Sequence, residues 1–472
     1  MIPERHSGCA DEPPVAESVT GRLAEFIAAD AGWSAPAEIR ELAIRHLLDT
    51  VASIVACGDL SAAQVARRFS RRHSGGVRDG VPILGSGERA SLIDAVFASA
   101  MAGHAAEIND FSPSSFVQPG PAIVSAALCL GDRRGSGGAA VLRSVLAGYE
   151  VACRLPKALG IGNLTHTGLA THGIAPVFGA GAAAASLMGL TAEQIRHMLA
   201  ACAQQASGSW QWLADVEHIE KAFVFAGMGA RNGVQAALLV ESGFAGVRDT
   251  FDHPAGWLAR TGFARPDSDL DLGYLVDGLG TRWEMPLVGF KRFPVGGPTQ
   301  PAVQAMLRLV RTVAPEKIAR IRVEMPGRAR AFAAAEMPAL SVPYLCGVIL
   351  TDGHLGFETA QSRERMTTDP VIRERMARVE VVHDPSQETE PRTESARVTA
   401  TMADGSTETV FVGHVRGFPS HPMPADDVRA KALDLIAPKL GARRARDVIR
   451  LVWSIDDLKT VTPLIDAITP MG

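Results

Sequence analysis

Four polar segments, each marked by Gly or Pro, interrupt the apolar stretches of this 472-residue chain and hold most of the residues that could do chemistry. The first lies between two apolar stretches and contains Glu107, Asp110 and Gln118. Loops held on a rigid scaffold often carry function, and acids and amides beside a helix N-terminus can shape a binding site there. Helix capping within a solvated loop is the competing interpretation of the same spacing.

The second and third segments supply groups that could transfer protons. His172 stands among threonines, directly before an Ala/Gly-rich stretch, where an imidazole can act as a general base or donate to a carboxylate. Lys221 leads into a mainly apolar stretch, and a partly buried lysine is either paired or shifted in pKa for chemistry. The alternatives are a structural histidine and a simple ion pair between Lys221 and a nearby glutamate.

The fourth segment places two adjacent cations, Lys291 and Arg292, before the Gly296-Gly297 turn that opens a helix, an arrangement that suits recognition of a carboxylate. The sequence has no Gly-rich nucleotide loop, no H-E-x-x-H metal motif and no G-x-S-x-G nucleophile elbow. The residues alone therefore indicate a cofactor-free enzyme that uses Lys, His, Tyr and carboxylates, with a binding or structural protein as the competing class.

The hydrophobic pattern indicates which elements position these segments. Apolar residues recur every three or four positions from residue 17 to about 246, which predicts an all-helical first half with the Ala/Gly-rich stretches 174–201 and 222–240 at its centre. Thr191 and Gln194 read as an N-cap signature. The later chain predicts a helix at 302–313, strands at 321–325, 379–381, 396–402 and 407–412, a hairpin turn at 403–406, and a helical tail from 423 that packs back onto the first half.

Composition bounds the partners and the compartment. Lys and Arg number 47 against 51 Asp and Glu, a net charge of −4, so nucleic acid is not expected as a partner. The N-terminal residues lack the pattern of a secretory signal, and the most apolar segments are shorter than the ~20 residues of a membrane span. We therefore expect a cytoplasmic protein without a membrane partner. The six cysteines have no C-x-x-C spacing and are expected to be reduced and mostly buried.

Several short motifs, taken in order, give a resemblance that spans nearly the whole chain. They are HLLDT at 46–50, HAAEIND at 104–110, VFGAG at 177–181, ARNGV at 230–234, KRFP at 291–294, and Tyr344 ahead of Asp352 and Gly353. In this order they resemble the MmgE/PrpD family, which includes 2-methylcitrate dehydratase, cis-aconitate decarboxylase and iminodisuccinate epimerase.

The resemblance implies a mainly α fold with an α+β lid. A large helical domain would comprise residues 15–275 and 420–472, and the smaller α+β domain, residues 276–419, would be inserted between them. It also implies a pocket between the two domains, no metal or organic cofactor, a small anionic substrate of polycarboxylate type, and a homodimer.

The family's site residues carry over only in part. Its loop acid corresponds to Glu107, its Asn/Asp-Asp pair to Asn109 and Asp110, and its lysine near the third segment lies within one residue of Lys221. Lys291 and Tyr344 match directly. Four positions where the family usually has histidine hold other residues, namely Gln118, Ala170, Phe225 and Gly296, with His172 two residues after Ala170. These losses predict a substrate that differs from methylcitrate or aconitate and carries less charge.

From these observations we expect a cofactor-independent lyase, a dehydratase or decarboxylase, that acts next to a carboxylate. Lys291, with Arg292, would hold the anionic group; His172 and Lys221 would transfer protons; Tyr344 would donate from the lid. Glu107, Asp110 and Gln118 would shape the pocket. An epimerase and a catalytically lapsed binding protein are the alternatives.

Overall fold

The computed structural model describes residues 18–28, 32–74, 77, 79–261, 263, 268–389 and 394–470. Its first half and its tail are helical. The helices before residue 280 are α1 (Val19–Ile27), α2 (Ala37–Ala56), α3 (Ser61–Ser74), α4 (Leu92–Gly103), α5 (Gly120–Arg134), α6 (Gly138–Leu159), α7 (Ile161–Thr167), α8 (Thr171–Met188), α9 (Ala192–Gln205), α10 (Ile219–Ala222), α11 (Met228–Glu241), α12 (Trp257–Arg260) and α13 (Leu272–Val276). A short antiparallel hairpin, whose strands β1 (Val81–Pro82) and β2 (Arg89–Ala90) have two residues each, is an exception to the predicted all-helical first half.

The remaining chain mixes helices and strands before it returns to helix. Its helices are α14 (Gln300–Leu309), α15 (Ala329–Ala333), α16 (Val342–Asp352), α17 (Phe357–Gln361), α18 (Arg363–Thr368), α19 (Pro370–Met376), α20 (Ala425–Leu440), α21 (Ala442–Trp453) and α22 (Thr462–Ile468). Its strands are β3 (Ile318–Met325), β4 (Val379–His383), β5 (Ala396–Met402) and β6 (Thr407–Val412). The mainly α class with a small α+β part, expected from the sequence, is confirmed.

The central helices are held together by close backbone contacts. Helix α8 packs against both α6 and α11. A Cβ added to Gly148 of α6 would lie 2.8 Å from the Gly179 carbonyl oxygen of α8. A Cβ added to Gly233 of α11 would lie 2.5 Å from the Gly181 nitrogen, again on α8. Real Cβ atoms do not approach backbone so closely, so glycine sets the spacing of this three-helix layer.

The α+β part of the chain, from Val295 to Phe418, is called the second region below. Its sheet has the order β4-β3-β5-β6. Strand β3 pairs in parallel with β4, and the intervening chain supplies α15 to α19 as the crossover that a parallel pair needs. Strands β5 and β6 pair antiparallel across the predicted turn, with Thr399 opposite Thr409. Buried and less buried residues alternate along β5, so one face of the sheet faces a core and the predicted hairpin is confirmed.

Two large hydrophobic clusters organise the described residues. One runs from Leu23 to Phe290 and resumes from Met423 to Ile468, so the helical tail packs on the first half as the sequence predicted. The other is formed by residues between Val295 and Phe418, together with Phe111 from the first half. The site described below lies where these two clusters meet.

Residues 219–241 form a nearly continuous helical run that is apolar and long enough to cross a membrane, although the sequence analysis expected every apolar segment to be too short. Two thirds of its most apolar part is buried inside the protein. The run packs against α4, α8 and α9, as expected of a central helix in a folded core. The five described cysteines are buried and free, and Cys9 lies outside the described residues.

Candidate active site

A cavity of about 410 Å³ opens between the two clusters. Five of the eight side chains predicted from the sequence line it, namely Glu107, Gln118, His172, Lys221 and Lys291. They come from four chain segments that are far apart in sequence, which the fold brings to one place. Residues of the second region, among them Gly296, Arg328 and Leu340, line the opposite side.

Local backbone contacts join the segments around the cavity. Phe111 and Gly289 exchange hydrogen bonds of 3.0 and 2.7 Å, which fix the loop that carries Glu107 beside the strand-like segment that carries Lys291. The Ala170 nitrogen donates to the Gly208 carbonyl at 3.0 Å, which joins the start of α8 to the following loop. The site is therefore held by paired backbone, and its geometry is set before a ligand arrives.

Lys221 lies at the start of the long helical run, and the turn after it is unusual. His218 caps α10 with a φ of 59°, a left-handed conformation that is rare for a residue with a side chain. A π-helical turn, Phe223–Gly227, then joins α10 to α11. Such turns are frequent at functional sites because they redirect side chains, and here both Lys221 and Phe225 face the cavity.

Glu107 stands between two ammonium groups. Its Oε1 accepts a hydrogen bond from Lys221 Nζ, and its Oε2 lies 3.3 Å from Lys291 Nζ. Burial opposes ionisation of Glu107, but the two lysines outweigh it and hold the carboxyl pKa well below its usual range. The carboxylate is therefore charged at neutral pH and keeps both cations in place.

Lys291 is the most heavily bonded cation of the site. Its Nζ donates to Gln118 Oε1 at 2.9 Å and to the Asn109 carbonyl at 3.0 Å, in addition to its contact with Glu107. Its side chain is only 1% exposed. Burial lowers the pKa of Lys291 to about 8, although Glu107 counteracts part of that effect. A lysine tuned in this way changes its charge within the range where enzymes work.

A chain of buried polar groups supports Gln118. Its Oε1 accepts from Asn109 Nδ2 at 2.9 Å, and His104 Nε2 lies 2.9 Å from it. Because an amide oxygen only accepts, His104 must carry its proton on Nε2, so its Nδ1 accepts from His218 Nε2 at 3.3 Å. Burial lowers the pKa of both imidazoles, that of His218 to about 4, so both are neutral. Neither histidine was predicted to have a role, although both stand in the polar segments of the sequence.

An aromatic wall faces the charged groups. His172 stacks on Phe225 with ring centres 3.9 Å apart, and Trp212 meets Phe225 edge-on at 4.7 Å. Lys221 Nζ lies 5.1 Å from the ring centres of both Trp212 and Phe225. Burial, then repulsion by Lys221, lowers the pKa of His172 to about 3, so its imidazole is neutral. The sequence analysis missed Trp212, although tryptophans in a polar segment just before Lys221 are a usable signal.

The three remaining predicted site residues do not line the cavity. Asp110 faces the helical core, where it accepts from Tyr149 OH at 2.6 Å and lies 3.0 Å from His46 Nδ1. Arg292 is exposed and lines a separate depression beside α20. Tyr344 is buried in the second cluster, donates to the Thr359 carbonyl at 2.6 Å, and has a pKa raised to about 12 by burial.

Comparisons with known proteins agree over most of the chain. Residues 21–266 match the MmgE/PrpD N-terminal domain and residues 293–457 match the MmgE/PrpD C-terminal domain. The chain is 22% identical to cis-aconitate decarboxylase of Aspergillus terreus, over 95% of both chains. It is 22% identical to a cis-aconitate decarboxylase-like protein of Aspergillus oryzae over 96% of this chain and 97% of that protein. It is 25% identical to human cis-aconitate decarboxylase over 61% of this chain and 60% of that protein.

Proposed function

Because the chain belongs to the MmgE/PrpD family, we propose that it is a cofactor-independent lyase, a dehydratase or decarboxylase that acts at a carbon next to a carboxylate. The observation that carries this proposal is the pair of buried lysines, Lys221 and Lys291, on either side of Glu107 in one cavity. The similarity to proteins named cis-aconitate decarboxylase supports the same class of reaction.

The hydrogen bonds of the two lysines favour different roles for them. An ammonium group has three donors, and all three of Lys291 are directed at oxygens of the protein. Among the residues that the structure describes, Lys221 Nζ has a single hydrogen-bond acceptor, Glu107, and keeps donors for a ligand. We therefore assign the substrate carboxylate to Lys221. We assign the proton transfer to Lys291 because burial lowers its pKa to about 8, where it can lose and regain a proton. This exchanges the roles expected from the sequence.

Both reactions can be written with these two groups. In dehydration, neutral Lys291 takes the proton from the carbon next to the carboxylate and the charge spreads into that carboxylate beside Lys221. The hydroxyl group on the adjacent carbon then leaves as water with the proton that Lys291 has just taken. In decarboxylation, a carbon–carbon bond breaks, carbon dioxide leaves, and protonated Lys291 delivers its proton to the carbanion. A positioned acid or base with a pKa near the working pH is the effective choice for either step.

Gln118 and His172 complete the arrangement. The Gln118 amide oxygen is occupied by three donors, so its amide nitrogen is the group left to donate to a substrate oxygen. His172 is neutral in its aromatic surroundings, and one ring nitrogen, Nδ1, lies 3.3 Å from Thr171 Oγ1. His172 therefore serves as a polar contact for the substrate that adds no charge. The cationic stabilisation of the transition state comes from the two lysines.

The test is turnover of a panel of hydroxy and unsaturated carboxylic acids, followed by NMR in deuterated water. We expect Lys291→Met to lower kcat/KM by roughly 10³-fold for whichever acid is converted, and Lys221→Met to act chiefly by raising KM. The control is Lys317→Met, which removes an exposed lysine from a turn before β3.

Two results would overturn the proposal. Full activity of Lys291→Met would remove the proposed proton carrier. Deuterium incorporation into a substrate with no net loss of water or carbon dioxide would instead identify an epimerase.

A further inference from the structure

The charges at the buried floor of the cavity are nearly balanced. Among the described residues that line this floor, the ammonium groups of Lys221 and Lys291 face the one carboxylate of Glu107, and the exposed Arg328 lies farther out. His172 adds no charge because its pKa is lowered to about 3. A single positive charge is therefore left for a ligand. A ligand that brings more negative charge to this floor would leave part of it unpaired among buried groups, which is costly.

Most of the rest of the described lining is apolar, and six of its side chains are Phe or Trp; besides Gln118 and His172, its neutral polar side chains are Ser112 and Thr165. Trp210 and Trp212 lie with ring centres 5.9 Å apart, Trp212 meets Phe225, and Phe225 stacks on His172. Phe332 and Leu340 of the second region face the same space. Apart from its charged floor, such a lining offers few partners for a second or third carboxylate. It favours a flat or branched apolar group through area burial and ring contacts.

We propose that this cavity takes a monocarboxylic acid that carries an apolar, preferably aromatic or unsaturated, substituent. Its carboxylate lies at Lys221 and Gln118, and its apolar part lies against Trp210, Trp212 and Phe225. This inference rests on the proposed function and names its substrate class. It replaces the polycarboxylate type implied by the resemblance, and extends the expectation of lower charge to a definite charge and shape.

Binding without turnover tests the inference separately from the reaction. Calorimetry with cinnamate and 3-phenylpropionate, against citrate and tricarballylate, is expected to give a Kd at least tenfold lower for the monocarboxylates at pH 7. If these acids bind and no acid of this class is converted, the proposed function fails and the binding class stands. If polycarboxylates bind as tightly or more tightly, or if none of the four acids binds, the inference is wrong.

A gain of charge makes the test sharper without disturbing the core. Leu213 lines the cavity and is 55% exposed, so Leu213→Arg adds a cation where there is room for it. We expect this variant to reduce the preference for cinnamate over tricarballylate by threefold or more. The matched control is Leu239→Arg, which changes an exposed leucine on α11 that does not line the cavity. An equal effect of both substitutions would contradict the proposal.

Discussion

Glu107 and Asp110 are buried carboxylates of the same loop, and they face opposite sides of it. Glu107 faces the cavity, where its partners are the ammonium groups of Lys221 and Lys291. Asp110 faces the helical core, where Tyr149, His46 and the Gly120 nitrogen surround it. The chemistry of the acid is the same in both places, so the difference lies in the partners and in access to a ligand.

The comparison shows how one loop can serve both stability and chemistry. Each Asp110 oxygen has a partner from the fold: Oδ2 accepts from Tyr149 OH, and Oδ1 accepts from the Gly120 nitrogen at 3.1 Å. A Cβ on residue 120 would lie only 2.7 Å from Oδ1, so the helix that follows must begin with glycine to keep this contact. Glu107 instead keeps two cations together, one of which has donors left over. A buried pair with unused donors beside a cavity is a candidate for function, whereas a fully bonded group in a core is a candidate for structure.

Of the two acids, Glu107 should have the larger effect on activity when its charge is removed. Glu107→Gln keeps one acceptor oxygen but turns the other into an amide NH2 group, so one of the two ammonium groups faces a donor. It also leaves Lys291 beside an unneutralised cation, which lowers the pKa of Lys291 further. We expect kcat/KM to fall by roughly 10²-fold or more, measured on an acid that the wild-type protein converts. Wild-type kinetics in this variant would show that Glu107 is as structural as Asp110.

Removing Asp110 should act on stability instead. Asp110→Ala leaves the Tyr149 hydroxyl and the buried His46 without their acceptor, at a cost of about 3 kcal/mol in the free energy of unfolding. Urea denaturation measures that cost, and Asp434→Ala on the exposed face of α20 is the control. The folded fraction should keep its specific activity. A loss of activity at unchanged stability would mean that Asp110, too, acts in the cavity.

Acid should destabilise the cavity side of the loop through its neutral histidines. His218 has a pKa of about 4 in the folded protein, below the usual 6.5, so unfolding takes up a proton as the pH falls below 6.5. At pH 5 this corresponds to ~2 kcal/mol of lost stability for that histidine.

Urea denaturation at pH 7 and pH 5 measures the effect, and His218→Asn is the informative variant. Asparagine tolerates the positive φ at this position and does not titrate. The decline between the two pH values should therefore become shallower. An identical decline in the variant would place the titrating group elsewhere.

The sequence predicted regular elements better than side-chain directions. Strands β5 and β6 were predicted to the residue because their alternation and their turn are local signals, and the Thr191 and Gln194 capping box is present. The β1–β2 hairpin was missed because two-residue strands carry no period. The stretch 222–240 was predicted as a central helix, but the length of its apolar run, 219–241, was underestimated because of the polar residues at its start.

The candidate site was located on the right segments, but three of its eight predicted residues, Asp110, Arg292 and Tyr344, do not line the cavity. Lys291 and Arg292 are adjacent in an extended segment, where successive side chains point to opposite faces, so one lines the cavity and the other does not. Tyr344 lies on helix α16, and sequence order does not tell which face of that helix meets the cavity. Trp212 and Arg328 reach the cavity only through tertiary packing.

The smallest predicted effect is also the one that separates the two reactions. If Lys291 transfers the proton, kcat/KM should inflect near pH 8, where its pKa lies, with about a tenfold change per pH unit on the sloping side. A base acts in its neutral form, so activity that rises with pH to a plateau identifies dehydration. An acid acts in its protonated form, so activity that falls above the inflection identifies decarboxylation.

Lys291→Arg keeps the charge and does not titrate in this range, so it should remove the inflection from any residual activity. A profile without an inflection between pH 7 and pH 9 in the wild-type protein would make Lys291 a purely electrostatic partner of Glu107, comparable to the groups that surround Asp110.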